Sequence, residues 1–119
     1  MKKTIAIIAL IFISATSFAQ NKNAKASLEV DGVCGMCKNR IEKACFKIKG
    51  VKSAIWDVKT HELQVIYNEE KTNLNEIHNS IAAVGHDTKE IKASDEAYDA
   101  VHACCKYRDD EVVDDHKDE

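Results

Sequence analysis

No proline occurs in the 119 residues, and there are only four glycines and 6% aromatics. The missing proline excludes a proline-rich linker and any fold that depends on a cis-proline, and so few glycines exclude a glycine-rich linker. Long hydrophobic runs are missing as well. The apolar stretch from Ile5 to Ile13 falls short of the about 20 residues a helix needs to cross a bilayer. Nor is there an excess of positive charge: 17 Lys and Arg face 20 Asp and Glu, a net charge of −3, which argues against nucleic acid as a partner. A chain of this length makes one small domain. It buries roughly 60 to 65% of its unfolded surface, which leaves no deep cavity for a small-molecule substrate and makes an elaborate enzyme hard to fit.

What is present starts with a leader. Lys2 and Lys3, the apolar run, and Ser17-Phe18-Ala19 before Gln20 have the layout of a secretory signal peptide. Residues 1–19 are therefore set aside from the fold, with cleavage expected near Ala19-Gln20 and a periplasmic or secreted location. No cysteine follows the run where a lipid anchor would attach. Without the two leader lysines the net charge is −5.

After a polar start, Ala26, Leu28 and Val30 alternate with Ser27 and Glu29 in the period of a strand with one buried face. Asp31 to Gly35 reads as a loop. From Cys37 the apolar positions Ile41, Ala44, Cys45 and Ile48 recur at helical spacing, and Gly50 stops them. Ala54, Trp56 and Val58, then Leu63, Val65 and Tyr67, form a strand hairpin. A second helix follows, capped by Asn73 with Glu76 three residues on, striped by Leu74, Ile77, Ile81 and Val84 and ended by Gly85. Thr88 to Lys92 reads as a last, weaker strand.

That order is the split βαββαβ of an α+β, ferredoxin-like sandwich, a four-stranded antiparallel sheet with two helices on one face. Residues 20–93 make this domain and residues 94–119 a short C-terminal extension. The extension holds a helix near Asp95–Val101, a Cys104-Cys105 pair, and an acidic end with seven acidic and two basic residues from Arg108 on, expected to be solvated.

Cys34-Gly35-Met36-Cys37, at the junction of the first strand and first helix, carries the chemistry. Two thiols three positions apart at a helix start converge on one soft cation, and the exposed amides of the first turn favour thiolate over thiol. Two other readings compete. A redox dithiol of the thioredoxin kind lacks the opposing proline and the matching element order. A structural zinc knuckle lacks a second, similarly spaced pair. Lys38, rather than histidine, follows Cys37 and excludes covalent haem.

The run from Asp31 to Ala44 (Asp-Gly-Val-Cys-Gly-Met-Cys-Lys-Asn-Arg-Ile-Glu-Lys-Ala), with Gly50-Val51 and Gly85-His86-Asp87, resembles the heavy-metal-associated domain family. That family includes small copper chaperones, the amino-terminal modules of metal-exporting ATPases and periplasmic mercury-binding proteins. The resemblance covers residues 26–92 and implies the ferredoxin-like fold, with Cys34 and Cys37 as thiolate ligands and Ile41 and Ala44 as helix core. It also implies a departure: the family has methionine two positions before the first cysteine, packed under the loop, where this chain has Gly32. His86 falls where the family places a loop residue close to the metal, so it is a candidate ligand or hydrogen-bond partner.

Cys45 lies on the apolar stripe and reads as core. Cys104 and Cys105, with His102 two residues upstream of Cys104, are dense in soft ligands for a tail and are candidates to join the loop site. Neighbouring side chains of an extended segment point opposite ways, so one of the pair is expected there. The last strand would end about 20 Å from the loop at about 3.3 Å per residue, and residues 93–104 would have to run back. His61, His78 and His116 read as ordinary polar positions, and Trp56 and Tyr67 as sheet core.

The resulting expectation is an exported carrier of a soft metal ion, Cu(I) first and Hg(II), Zn(II) or Cd(II) as alternatives. The metal would pass by thiolate exchange to a metal-transporting membrane protein or another thiol carrier. A thiol–disulfide protein using the same cysteines, with Cys104 or Cys105 as resolving thiol, and a sequestering module stay open. An odd number of cysteines leaves room for a metal-bridged dimer.

Overall fold

A computed structural model describes residues 20–117. Period-two alternation puts Ala24 and Leu28 of β1 (Ala24–Glu29), Ala54 and Trp56 of β2 (Val51–Trp56), and Leu63, Val65 and Tyr67 of β3 (Glu62–Tyr67) among the buried residues of the core. The central strand is β3. It pairs antiparallel with β1 from Ala24↔Tyr67 to Glu29↔Glu62 and with β2 from Val51↔Tyr67 to Trp56↔Leu63.

Two helices, α1 (Gly35–Phe46) and α2 (Leu74–Ala83), close that core with Ile41 and Cys45 from the first and Ile77 and Ile81 from the second, all fully buried. Burying an aliphatic side chain of this size contributes about 1.5–3 kcal/mol, so these positions dominate the domain's stability. Polar contacts set the helices' positions. Lys38 Nζ donates to the Trp56 carbonyl (2.8 Å), the Glu42 carboxylate accepts the Trp56 amide (3.1 Å), and Ser80 Oγ donates to the Ala44 carbonyl (3.0 Å). The expected cap of α2 is present, with Asn73 Oδ1 accepting the Glu76 amide at 2.9 Å.

The fourth strand expected over Thr88–Lys92 is a correction: it does not form among the described residues, and the sheet has three strands. A single bridge, Val30↔Thr88, stands where it would begin. The cause is local. The Thr88 amide donates to the Ile91 carbonyl (2.9 Å), the Ile91 amide to Thr88 Oγ1 (3.1 Å), and the Ala93 amide to the Asp87 carboxylate (2.7 Å). Residues 87–93 therefore fold back on themselves, and the chain never travels to the far end of the sheet. Thr88 Oγ1 is also held by His78 Nδ1 at 2.8 Å.

The extension starts beside the cysteine loop and stays there. It consists of α3 (Asp95–Asp99), a single 3-10 turn (Ala103–Cys105) and α4 (Asp110–Asp115). Its acidic end differs from the solvated tail expected, because Val112 and Val113 of α4 pack against the core. Gly85 makes room for it. With φ at +96°, a Cβ at this position would lie 2.5 Å from the Ala97 carbonyl oxygen and 2.6 Å from Val101 Cγ1.

The space under the cysteine loop is filled from β2. Trp56 is fully buried, its Nε1 donates to the Val30 carbonyl (3.0 Å), and its ring stacks on His61. A Cβ at Gly32 would sit 2.9 Å from Trp56 Cη2 and 3.1 Å from Cys37 Cβ. The indole thus occupies the place that the resemblance assigns to a methionine, and glycine is what lets it in. Gly32→Ala should destabilise the fold by about 1–3 kcal/mol through overpacking. Gly35→Ala, where a Cβ meets nothing within 4 Å, should change it by less than about 0.5 kcal/mol. Urea unfolding midpoints of the two variants check the contrast.

Candidate metal centre

Helix α1 begins at the cysteine loop, and Cys34 stands at its N-cap position in extended conformation, with no side-chain hydrogen bond capping the helix. The unpaired amides of the first turn are thus left to the thiol. Burial pushes the Cys34 thiol up, but the amides of Cys37 and Met36 and the neighbouring thiols of Cys105 and Cys37 outweigh it, leaving Cys34 below the ordinary thiol range. Cys37, one turn in, is raised, chiefly by burial. Cys34 is the sulfur set up to carry negative charge, with its neighbours as donors to it.

Four sulfurs gather here. Cys34 Sγ lies 3.7 Å from Cys37 Sγ and 3.3 Å from Cys105 Sγ, and Cys105 Sγ lies 3.8 Å from Cys104 Sγ. Cys34, Cys104 and Cys105 fall within 4.8 Å of one another. The extended segment expected around the vicinal pair is a 3-10 turn instead, which brings both thiols to the same side. Cys104 Sγ also donates to Met36 Sδ at 3.4 Å, and that methionine is 44% exposed. Burial raises the Cys104 thiol to about 11 and the Cys105 thiol to about 12. Cys45 is remote from this group in function: it is fully buried in the core and pushed up to about 12 by burial and by Glu42.

The histidines do not join the sulfurs. His86 is fully buried, with Nδ1 2.8 Å from the Asp31 carbonyl and Nε2 3.3 Å from Arg40 Nη1. A carbonyl only accepts and a guanidinium only donates, so Nδ1 carries the proton and Nε2 is the acceptor. Both nitrogens are engaged. His102 is exposed and outside the group. Sequence reasoning missed Arg40, which His86 holds on one side and whose guanidinium bears on Cys105 on the other. A helical position three residues past Cys37 is on the same face one turn on, and that spacing was the available signal.

A metal–sulfur bond of about 2.3 Å puts sulfurs about 3.8 Å apart in a tetrahedral site, about 4.0 Å in a trigonal one and about 4.6 Å in a linear one. Spacings of 3.3–3.8 Å lie at or below the tetrahedral value and well short of the linear one, so the cluster is nearer to a site of more than two sulfurs.

The fold and this loop place the chain in a class of small thiol-bearing metal-binding domains. Residues 27–87 match the heavy-metal-associated domain, and the chain belongs to that family. It is 32% identical over 63 residues to the copper chaperone CopZ of Staphylococcus haemolyticus (strain JCSC1435), covering 52% of this chain and 93% of that protein. It is 37% identical over 66 residues to the copper-exporting P-type ATPase of the same organism, 55% of this chain but only 8% of the ATPase. Among solved structures, a CopZ metallochaperone superposes with a TM-score of 0.53 at 30% identity, covering 55% of this chain and 98% of that one. The extension lies beyond the matched residues.

This kinship overturns the periplasmic or secreted location expected from the leader: the relatives are CopZ copper chaperones, and they lend an exported carrier no support. The leader itself, residues 1–19, lies outside the described residues, and no described helix is long and apolar enough to cross a membrane.

His86 gives the centre a pH signature. Burial, with Arg40 alongside, lowers its imidazole to about 4, against about 6.5 for an unfolded histidine. Between those values the unfolded chain binds more protons, so this contribution is complete above about pH 6.5 and is lost as pH falls toward 4, up to about 3 kcal/mol. Asp31, raised by burial and by Asp87, tilts the opposite way at the acid end. Urea midpoints of the reduced protein at pH 7 and pH 5 should differ more for the wild type than for His86→Gln.

Proposed function

We propose that this chain is a Cu(I) carrier that holds its cargo on the thiolates of Cys34 and Cys37. The single observation that supports this best is the Cys34–Cys37 pair, 3.7 Å apart at the start of α1, inside the segment matching the heavy-metal-associated domain. The relatives' names favour copper over other soft ions, and thiolates select Cu(I) among the copper states. No covalent bond of an organic substrate is made or broken, so the chain is a carrier and not an enzyme.

Handover goes by ligand exchange. A cysteine thiol of the acceptor loses its proton and forms a Cu–S bond, a Cu–S bond to Cys34 or Cys37 breaks, and the released thiolate takes up a proton. Copper stays Cu(I) throughout. The acceptor is the metal-binding domain of a copper-transporting ATPase or another thiol carrier, in keeping with the names of the relatives.

Anaerobic titration of the reduced chain with Cu(I) against a competing chelator tests this reading. One Cu(I) per chain is expected for the wild type, and Cys34→Ser and Cys37→Ser should each weaken binding at least tenfold, about 1.4 kcal/mol. Cys45→Ala should bind like the wild type. Equal binding by all four proteins would sink the assignment.

A further inference from the structure

The match to the heavy-metal-associated domain ends at residue 87, yet the sulfur cluster does not. Two sulfurs alone hold a soft ion best in a line, about 4.6 Å apart; Cys34 and Cys37 are 3.7 Å apart, nearer the spacing of a site with further ligands. Cys105 stands in that place. It is 3.3 Å from Cys34, and it is fully buried. Cys104 lies in the same cluster, within 4.8 Å of Cys34 and Cys105, but unlike Cys105 it is partly exposed and donates to Met36.

The position of Cys105 is fixed by groups that are not sulfur. Two residues after it, Tyr107 Oη donates to the Gly85 carbonyl (2.7 Å) and accepts the Asp87 amide (2.9 Å), and its ring stacks on His86 with centroids 5.4 Å apart. Arg108 then grips Asp87 with Nη2 at 2.8 Å and Nε at 3.2 Å, and donates from Nη2 to the Ala93 carbonyl at 2.9 Å. Its guanidinium lies over the Tyr98 ring, 4.2 Å from the centroid. A sulfur held this way keeps its place before any metal arrives, which removes the ordering cost of recruiting it. Arg40, held by His86, supplies positive charge beside it.

We propose that the C-terminal extension is a strap that closes the loop site, with Cys105 as a third thiolate ligand, and that the Asp87–Arg108 pair latches it. This rests on the Cu(I)-carrier reading and specifies its ligand set and its control. Cys34 is only 9% exposed in the latched chain and Cys37 and Cys105 not at all, so an acceptor's thiol has no free approach to these three sulfurs. Unlatching opens that approach and withdraws the third ligand in one movement. Retention and release are then two positions of the same strap.

The test combines X-ray absorption at the copper edge with chelator competition and transfer rates, on the reduced full chain without added thiol. Three sulfur neighbours are expected in the wild type and in Cys104→Ser, and two in Cys105→Ser, with Cu(I) affinity in Cys105→Ser down at least tenfold. Arg108→Gln keeps every thiol; it should give up Cu(I) to a small dithiol chelator at least tenfold faster than the wild type. Two sulfur neighbours in the wild type would overturn the strap while leaving the carrier reading intact, and that result needs no variant to fold. Loss of the third sulfur in Cys104→Ser but not in Cys105→Ser would overturn the assignment of Cys105. An unchanged release rate in Arg108→Gln would overturn the latch. No uptake of Cu(I) by the wild type would overturn both the strap and the carrier reading.

Discussion

The carboxylate of Asp87 decides the shape of everything after α2. It is 7% exposed and takes the Ala93 amide on one side and a two-pronged contact from Arg108, itself 28% exposed, on the other. Burial works against its charge, but Arg108 and the Ala93 amide outweigh that, so the carboxyl lies below the usual carboxylate range. Hydrogen bonds to charged groups contribute about 1.5–3 kcal/mol each, well above an exposed ion pair. The price of the pairing is a sheet of three strands, and the return is an extension laid against the cysteine loop.

The electrostatics of the loop follow from the same placement. A cluster of four thiols cannot ionise together, and the fold distributes them unequally. Cys34 receives the helix amides and lies below the ordinary range, whereas Cys104 and Cys105 are raised. A soft cation reverses that order, since the thiolate is the form that binds. Arg40 is the fixed cation at hand, and it is fixed because His86 stays neutral and accepts from it. His86 therefore bears on the site through its grip on Arg40 and its stack on Tyr107.

Much of this was legible along the chain because it is local. The alternation of β1 to β3, the stripes of α1 and α2, the Asn73 cap, the Gly85 stop and the cysteine spacing all act over a few residues, and the structure has them. The failures share one physical origin. Thr88–Lys92 has strand composition, but Thr88–Ile91 and Asp87–Ala93 hydrogen bonds fold it back, and the Asp87 carboxylate that anchors the fold-back is held by Arg108, 21 residues on, which no local pattern records. Val112 and Val113 sit in an acidic run that reads as solvated, yet the extension folds back far enough for them to reach the core. Gly32 stood out only as a departure from the family's methionine; Trp56, 24 residues later, fills the space. His86 was noticed as a candidate ligand or hydrogen-bond partner, and its actual partners, Asp31 and Arg40, were not legible because they come from the other end of the domain.

A third thiolate on a carrier carries an inherent conflict. An incoming acceptor needs a coordination position, and the sulfur that tightens the hold is the one that fills it. Linking a ligand to its site replaces an encounter with an intramolecular event at an effective concentration in the millimolar range even for a loose linker. Cys105 is not on a loose linker: Tyr107 and Arg108 seat it beside Cys34. A small free thiol would then lose the competition for the third position, which protects the cargo from casual exchange. An acceptor succeeds only by displacing the strap as a body, and a partner protein that engages the surface around Asp87 and Arg108 has the means to do so. The proposed strap thus places selectivity for an acceptor in the contacts of the latch, some residues away from the sulfurs proposed to hold the metal.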